Sequence, residues 1–137
     1  MINRSPHGHD KEALARQSKR VLVVEDELFI RILISDALRE EGYVVLEAFN
    51  GDEAADILNS GVTVQLILSD VRMPGLLDGL GLLNFTRQRF PGLPVILTSG
   101  HLEPGLAFAE GANHFVQKPY KLESVLELIA TELTKSE

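Results

Sequence analysis

The chain has 137 residues, no cysteine and a formal net charge of −7. This length suits one domain with a full core, and the lack of cysteine excludes disulfides, thiol catalysis and zinc–thiolate sites, as fits a cytoplasmic protein. The acidic charge argues against nucleic-acid binding by the folded part, and no apolar run approaches the ~20 residues of a membrane span. We therefore expect neither nucleic acid nor membrane as a partner.

The polar stretch 1–19 is predicted to be a flexible N-terminal tail, with the folded domain over 20–137. Residues 1–20 carry a charge of +3, so the remainder carries −10. His7 and His9 are interpreted as solvated tail residues, because no third metal ligand lies near them in the sequence.

From residue 21 onwards, short apolar segments alternate with amphipathic ones. The first helix has apolar residues at helical spacing: Ile30, Leu33, Ile34, Ala37 and Leu38. Further helices are predicted over 52–60, over 79–89 and from Leu122 to Leu133, with a shortened fourth helix over about 105–110 before the last one. The predicted strands are 21–24, 43–48, 64–70, 93–99 and 114–118.

Three of these strands, the first, third and fourth, are continuously apolar, as is typical of parallel strands covered on both faces. The alternation of strands and helices indicates an α/β fold. We predict a flavodoxin-like, doubly wound, five-stranded parallel sheet of order 2-1-3-4-5. In such sheets, ligands bind beyond the carboxyl ends of the strands.

Chemically useful side chains follow four of the predicted strands. Three carboxylates meeting at one sheet edge would repel one another, and Mg²⁺ would relieve the repulsion. A lysine and a hydroxyl would suit the oxygens of an incoming phosphoryl group, with Asp70 as the nucleophile. Each residue alone has an ordinary explanation as turn former, helix cap or surface side chain, and only their conjunction favours a site. The residues are Glu25, Asp26, Asp70, Thr98, Ser99 and Lys118.

Five segments together resemble the receiver domains of two-component response regulators: VLVVEDE, LILSDVRMPG, DGL, LPVILTSG and FVQKPY. The resemblance covers about residues 20–134. It implies that Asp70 accepts a phosphoryl group from a phosphohistidine of a sensor histidine kinase or histidine phosphotransfer protein. It also implies that Mg²⁺ is held by Glu25, Asp26, Asp70 and the backbone carbonyl of Arg72.

The resemblance further implies a switch. Ser99 and Lys118 would bind the phosphoryl group and move inward, and Phe115 would then rotate into the vacated space. Thr98 is the rival hydroxyl, but strand alternation points it to the other face. For Phe115, plain core packing remains an equal alternative.

The sequence departs from the family pattern in three places. The turn after Pro74 reads GLLDG, one residue longer than the commonest form. Only fifteen residues separate Ser99 from Phe115, and Pro104 and Gly105 interrupt them. Finally, Arg72 and His101 occupy positions that flank the acyl phosphate, so we expect changes there to alter dephosphorylation more than phosphorylation.

The chain ends at Glu137, just after the last predicted helix. We therefore expect a receiver without an attached output domain, which signals through protein contacts and could form a homodimer. Its own phosphorylation and dephosphorylation would be its only chemistry, so it would not be an enzyme. The sequence does not choose between a relay, a phosphate sink and an effector.

Three other classes remain as alternatives. A haloacid-dehalogenase-like phosphatase needs an acid two residues after the nucleophile, where this chain has Arg72. A flavin- or nucleotide-binding module would need a glycine-rich phosphate loop, which is absent from the sequence. A receiver-like module that binds partners without phosphorylation is disfavoured because the key site residues are all present.

Overall fold

The computed structural model describes residues 16–100 and 110–135, which form five strands and four helices. The strands make one parallel sheet of order β2-β1-β3-β4-β5, as predicted. Residues 105–109 of the helix expected over about 105–110, and the first 15 residues of the tail, lie outside the described residues. In chain order the elements are β1 (Arg20–Val24), α1 (Leu28–Glu40), β2 (Val44–Ala48), α2 (Gly51–Asn59), β3 (Leu66–Asp70), α3 (Gly79–Arg89), β4 (Val95–Ser99), β5 (His114–Gln117) and α4 (Leu122–Lys135).

The sheet separates two hydrophobic cores, because side chains of each strand alternate between its faces. In β4, Leu97 packs in the core that includes residues of α2 and α3, whereas Ile96 packs in the core that includes residues of α1 and α4. All five residues of β3 and of β4 are buried. The parallel register sets Asp70 opposite Thr98, so that the carboxyl ends of the central strands share one edge.

Helix α1 has two apolar faces rather than one. Ile34 and Leu38 are buried against the sheet, as predicted. Leu33 was predicted to share that face, but its side chain is 59% exposed. Successive residues of an α-helix are rotated by about 100°, so Leu33 lies to one side of the row formed by Ile34 and Leu38, which contacts the sheet. A second, exposed set, termed here the α1 outer face, consists of Leu28, Phe29, Ile32 and Leu33.

The last residues of the predicted tail, 16–19, pack on the domain. The guanidinium of Arg16 lies 5.5 Å from the centre of the Tyr43 ring and donates to the Glu41 carbonyl at 3.3 Å. The Lys19 carbonyl accepts the amide of Val44 at 3.0 Å, which extends the pairing of β1 with β2. Within the described ranges, no helix has the length and apolar character that crossing a membrane requires.

The backbone between β3 and α3 folds back on itself at Gly79. The Gly79 amide donates to the Val71 carbonyl at 2.8 Å, and Asp78 caps α3 by accepting the amide of Gly81 at 2.8 Å. A Cβ at Gly79 would overlap the Asp70 carbonyl and the Val71 Cα. This close approach fixes where the chain leaves the sheet after Asp70.

We expect Gly79→Ala to lower the free energy of unfolding by roughly 2 kcal/mol or more, because backbone atoms cannot yield to the added methyl group. Gly92→Ala is the matched control, since nothing lies within 4 Å of its added Cβ. Urea unfolding followed by circular dichroism measures both. Equal stability of the two variants would contradict the steric argument.

Candidate functional site

Three acidic side chains meet at the carboxyl edge of the sheet. Glu25 and Asp26 follow β1, and Asp70 ends the neighbouring strand β3. One carboxylate oxygen from each lies within 4.8 Å of the others. Glu25 and Asp70 are buried, whereas Asp26 is exposed. The structure therefore brings the three predicted acids together at the carboxyl edge of the sheet, with Asp26 exposed to solvent.

Lys118 reaches this cluster from the end of β5. Its Nζ atom lies 3.1 Å from Asp70 Oδ2 and 3.5 Å from Glu25 Oε1. Burial alone would lower the pKa of Lys118, but the charges of Glu25 and Asp70 raise it above its usual value. At neutral pH, Lys118 therefore carries a positive charge beside Asp70, the predicted phosphoacceptor.

Glu25 shows how crowded the cluster is. Burial raises the pKa of Glu25 to about 7, against a hydrogen bond from the Glu27 amide that lowers it. The charge of Asp70 raises the pKa further, and Lys118 offsets only part of this. Within residues 16–100 and 110–135, the charge of Lys118 therefore offsets only part of the negative charge of the three acids. A hard divalent cation with oxygen ligands, such as Mg²⁺, fits this donor set.

Arg31 donates a hydrogen bond to the backbone at Glu25, a contact that the sequence analysis did not predict. Its Nη1 donates to the Glu25 carbonyl at 2.9 Å, and its Nε donates to Glu47 Oε1 at 3.2 Å. The contact joins α1, the end of β1 and β2. The helical spacing of Arg31 does not predict this contact, because the carbonyl that accepts the hydrogen bond belongs to Glu25, in the segment between β1 and α1.

The remaining predicted residues lie around the cluster. Ser99 is buried at the end of β4, and alternation from Leu97 places it on the same sheet face as Phe115. Phe115 is partly buried against that core. Thr98, also buried, alternates to the opposite face with Ile96. The roles of Ser99 and Phe115 as switch residues stay predictions.

Of the two residues expected to tune dephosphorylation, the structure describes one. Arg72 is exposed, two residues after Asp70. His101 lies outside the described residues.

An apolar groove borders the site. It has a volume of about 440 Å³ and lies between α1 and the segment that joins β5 to α4. Lys118 belongs to both the groove and the acidic cluster. Tyr120, which the sequence analysis did not single out, lines the groove, and burial is the main cause that raises its pKa. The lining residues are Ile30, Leu33, Ile34, Lys118, Pro119, Tyr120 and Leu122.

A doubly wound five-stranded sheet with three acids and a lysine at its carboxyl edge defines a receiver-like α/β domain. Comparison of the sequence with family profiles supports the same conclusion. The profile of the response regulator receiver domain matches residues 21–130, and the chain belongs to this family of two-component signalling domains.

Curated relatives are longer than this chain. A Rickettsia felis protein described as an NtrX-like response regulator is 37% identical over 121 residues, which are 84% of this chain and 25% of that protein. The DNA-binding transcriptional regulator NtrC of Escherichia coli K12 is 37% identical over 112 residues, which are 80% of this chain and 24% of that protein. The chain thus spans about a quarter of these relatives, and the expected lack of an output domain stays a prediction.

Solved structures share the fold over most of the chain. The receiver domain of NtrX from Brucella abortus has a TM-score of 0.76 and 34% identity, and the match covers 83% of this chain and 98% of that one. The receiver domain of the Francisella response regulator 1452 has a TM-score of 0.82 and 25% identity, over 88% and 100% of the two chains.

The raised pKa of Glu25 predicts a pH-dependent stability. Between its ordinary value of 4.5 and about 7, the folded state holds the proton more tightly than the unfolded state, so stability falls as pH rises through this window. In the absence of divalent cations, we expect Glu25→Gln to raise the free energy of unfolding by roughly 1–2 kcal/mol at pH 8 and by little at pH 5.

Urea unfolding in EDTA at both pH values measures this difference. Glu127→Gln is the control, because it removes a negative charge from an exposed position on α4. An effect of Glu25→Gln that is the same at pH 5 and pH 8 would contradict the prediction.

Proposed function

We propose that this domain accepts a phosphoryl group on Asp70 from a phosphohistidine of a sensor histidine kinase or histidine phosphotransfer protein. The observation that carries the proposal is the environment of Asp70. Its carboxylate meets a charged lysine at 3.1 Å and two further acids within 4.8 Å. Membership of the receiver family supports the same reaction.

In the proposed reaction, a carboxylate oxygen of Asp70 attacks phosphorus and forms the new O–P bond. The P–N bond of the phosphohistidine breaks, and its electron pair stays on the imidazole nitrogen, which takes up a proton. Lys118 stands where its charge neutralises phosphoryl oxygens. Mg²⁺, when held by Glu25, Asp26, Asp70 and the Arg72 carbonyl, supplies further charge neutralisation.

The acyl phosphate is later hydrolysed by water, which returns Asp70 and releases inorganic phosphate. We propose that this cycle is the domain's only chemistry, so that it is a signalling protein rather than an enzyme with a separate substrate. A haloacid-dehalogenase-like reaction has less support, since Arg72 stands where such an enzyme needs a general acid.

The proposed output follows from charge at the site. Phosphorylation adds negative charge beside Lys118 and Ser99, which favours their approach to the new phosphoryl oxygens. Ser99 and Phe115 share one face of the sheet, so a shift of β4 reaches the aromatic ring through neighbouring side chains.

The α1 outer face is the proposed docking surface for the protein phosphodonor. Phe29 is 81% exposed, and the side chain of Leu33 both lies on this face and lines the apolar groove. Lys118 joins the groove to Asp70. A partner helix seated there would bring its phosphohistidine to the acidic cluster, and burial of the exposed apolar area would stabilise the complex.

Intact-mass spectrometry after incubation with Mg²⁺ and acetyl phosphate tests the proposed function. We expect the mass of the wild type to rise by one phosphoryl group. Asp70→Asn should show no gain, because the amide is not a nucleophile for phosphorus, and EDTA should abolish the gain in the wild type.

If acetyl phosphate gives no adduct, the test is repeated with a phosphorylated cognate histidine kinase. The absence of an adduct with both donors would refute the proposal and favour a module that binds partners without phosphorylation.

We expect Phe29→Ala and Leu33→Ala to slow phosphoryl transfer from a histidine kinase by about tenfold, with an unchanged rate from acetyl phosphate. The small donor needs no docking surface, so only the protein donor senses the lost contacts. Val44→Ala is the control, since Val44 is 40% exposed at the opposite end of the sheet. Equal slowing with both donors would contradict a docking role.

A further inference from the structure

The loop between β3 and α3, residues 71–78, is attached to the start of α2. Asp52 Oδ2 accepts a hydrogen bond from the amide of Leu76 at 2.9 Å, across 24 residues of sequence. Gly75 has a φ of 102°, which turns the chain towards Asp52. At Gly51 an added Cβ would overlap the backbone carbonyl of Leu77, so the two backbones are in close contact.

The loop is therefore held at two points. The hydrogen bond from Gly79 to the Val71 carbonyl closes its base, and the hydrogen bond from Leu76 to Asp52 holds its tip. The side chain of Leu76 is 94% exposed, so its burial contributes little to holding the tip. Between the two points lies Arg72, whose carbonyl is a proposed Mg²⁺ ligand.

We propose that Asp52 is a positioning residue for the phosphoacceptor site. By accepting the Leu76 amide, Asp52 limits the freedom of the loop and keeps the Arg72 carbonyl in place for a divalent cation. The inference rests on the proposed function. The hydrogen bond from Leu76 to Asp52 also explains how a turn that is one residue longer than the common form is held against α2.

Another role for Asp52 makes a different prediction. Asp52 lies in the first turn of α2, where its negative charge interacts favourably with the helix dipole. That effect depends on charge, whereas the positioning role depends on an acceptor oxygen. Asp52→Asn retains an oxygen acceptor and loses the charge, so it separates the two.

The experiment compares the wild type, Asp52→Ala, Asp52→Asn and Asp56→Ala. Asp56 is an exposed acid on the same helix and serves as the control. Amide hydrogen exchange at Leu76 is measured by NMR on the metal-free protein, and Mg²⁺ affinity is measured by calorimetry.

We expect Asp52→Ala to speed exchange at Leu76 by about tenfold and to weaken Mg²⁺ binding by about tenfold, the lower end of what outer-shell changes cost. Asp52→Asn and Asp56→Ala should match the wild type in both measurements. The phosphorylation rate at saturating Mg²⁺ should be unchanged in the control variant Asp56→Ala. If Asp52→Ala does not fold, Asp52→Ser takes its place, with a shorter polar side chain.

Each contrary result has one meaning. A wild type that binds no Mg²⁺ refutes the cation site of the proposed function and with it the positioning role. If the wild type binds Mg²⁺ and Asp52→Ala binds it equally well, the positioning role alone is wrong. If Asp52→Asn behaves like Asp52→Ala, charge at the α2 terminus explains the effect and the positioning role is again wrong.

Discussion

Mutual repulsion among Glu25, Asp26 and Asp70 is the constraint around which the structure is organised. One carboxylate oxygen from each lies within 4.8 Å of the others, and the charged side chain of Lys118 contacts Asp70 and Glu25. Burial, with a further contribution from the charge of Asp70, raises the pKa of Glu25 to about 7. The fold tolerates the repulsion because the two apolar cores on either face of the sheet stabilise the strands that carry these residues.

Contacts at the same strand ends link the acidic cluster to the apolar groove and to helices α1 and α2. Lys118 contacts Asp70 and also lines the apolar groove beside α1. Arg31 ties the backbone of Glu25 to α1, and Asp52 ties the loop after Asp70 to α2. A change of charge at Asp70 is therefore linked through short contacts to two helices. This arrangement suits the proposed signalling role, since a local electrostatic change reaches the protein surface without a large rearrangement.

Family membership fixes the class of signalling domain, whereas the activities of the longer relatives do not carry over to this chain. It matches about a quarter of the length of relatives such as NtrC, so the DNA binding in that protein's name is not carried over to the domain described here. The net charge of −7 opposes binding of this chain to the phosphate backbone of nucleic acid.

The sequence by itself determined the strand order and the identity of the residues at the strand ends. Continuous apolar strands that alternate with amphipathic helices leave few other topologies, and parallel strands necessarily end at one edge. Tertiary structure alone decided three other points. Leu33 turns outward, Arg31 reaches a backbone carbonyl and Asp52 reaches an amide 24 residues away. Local periodicity does not encode these contacts, because each depends on how separate elements approach one another in space.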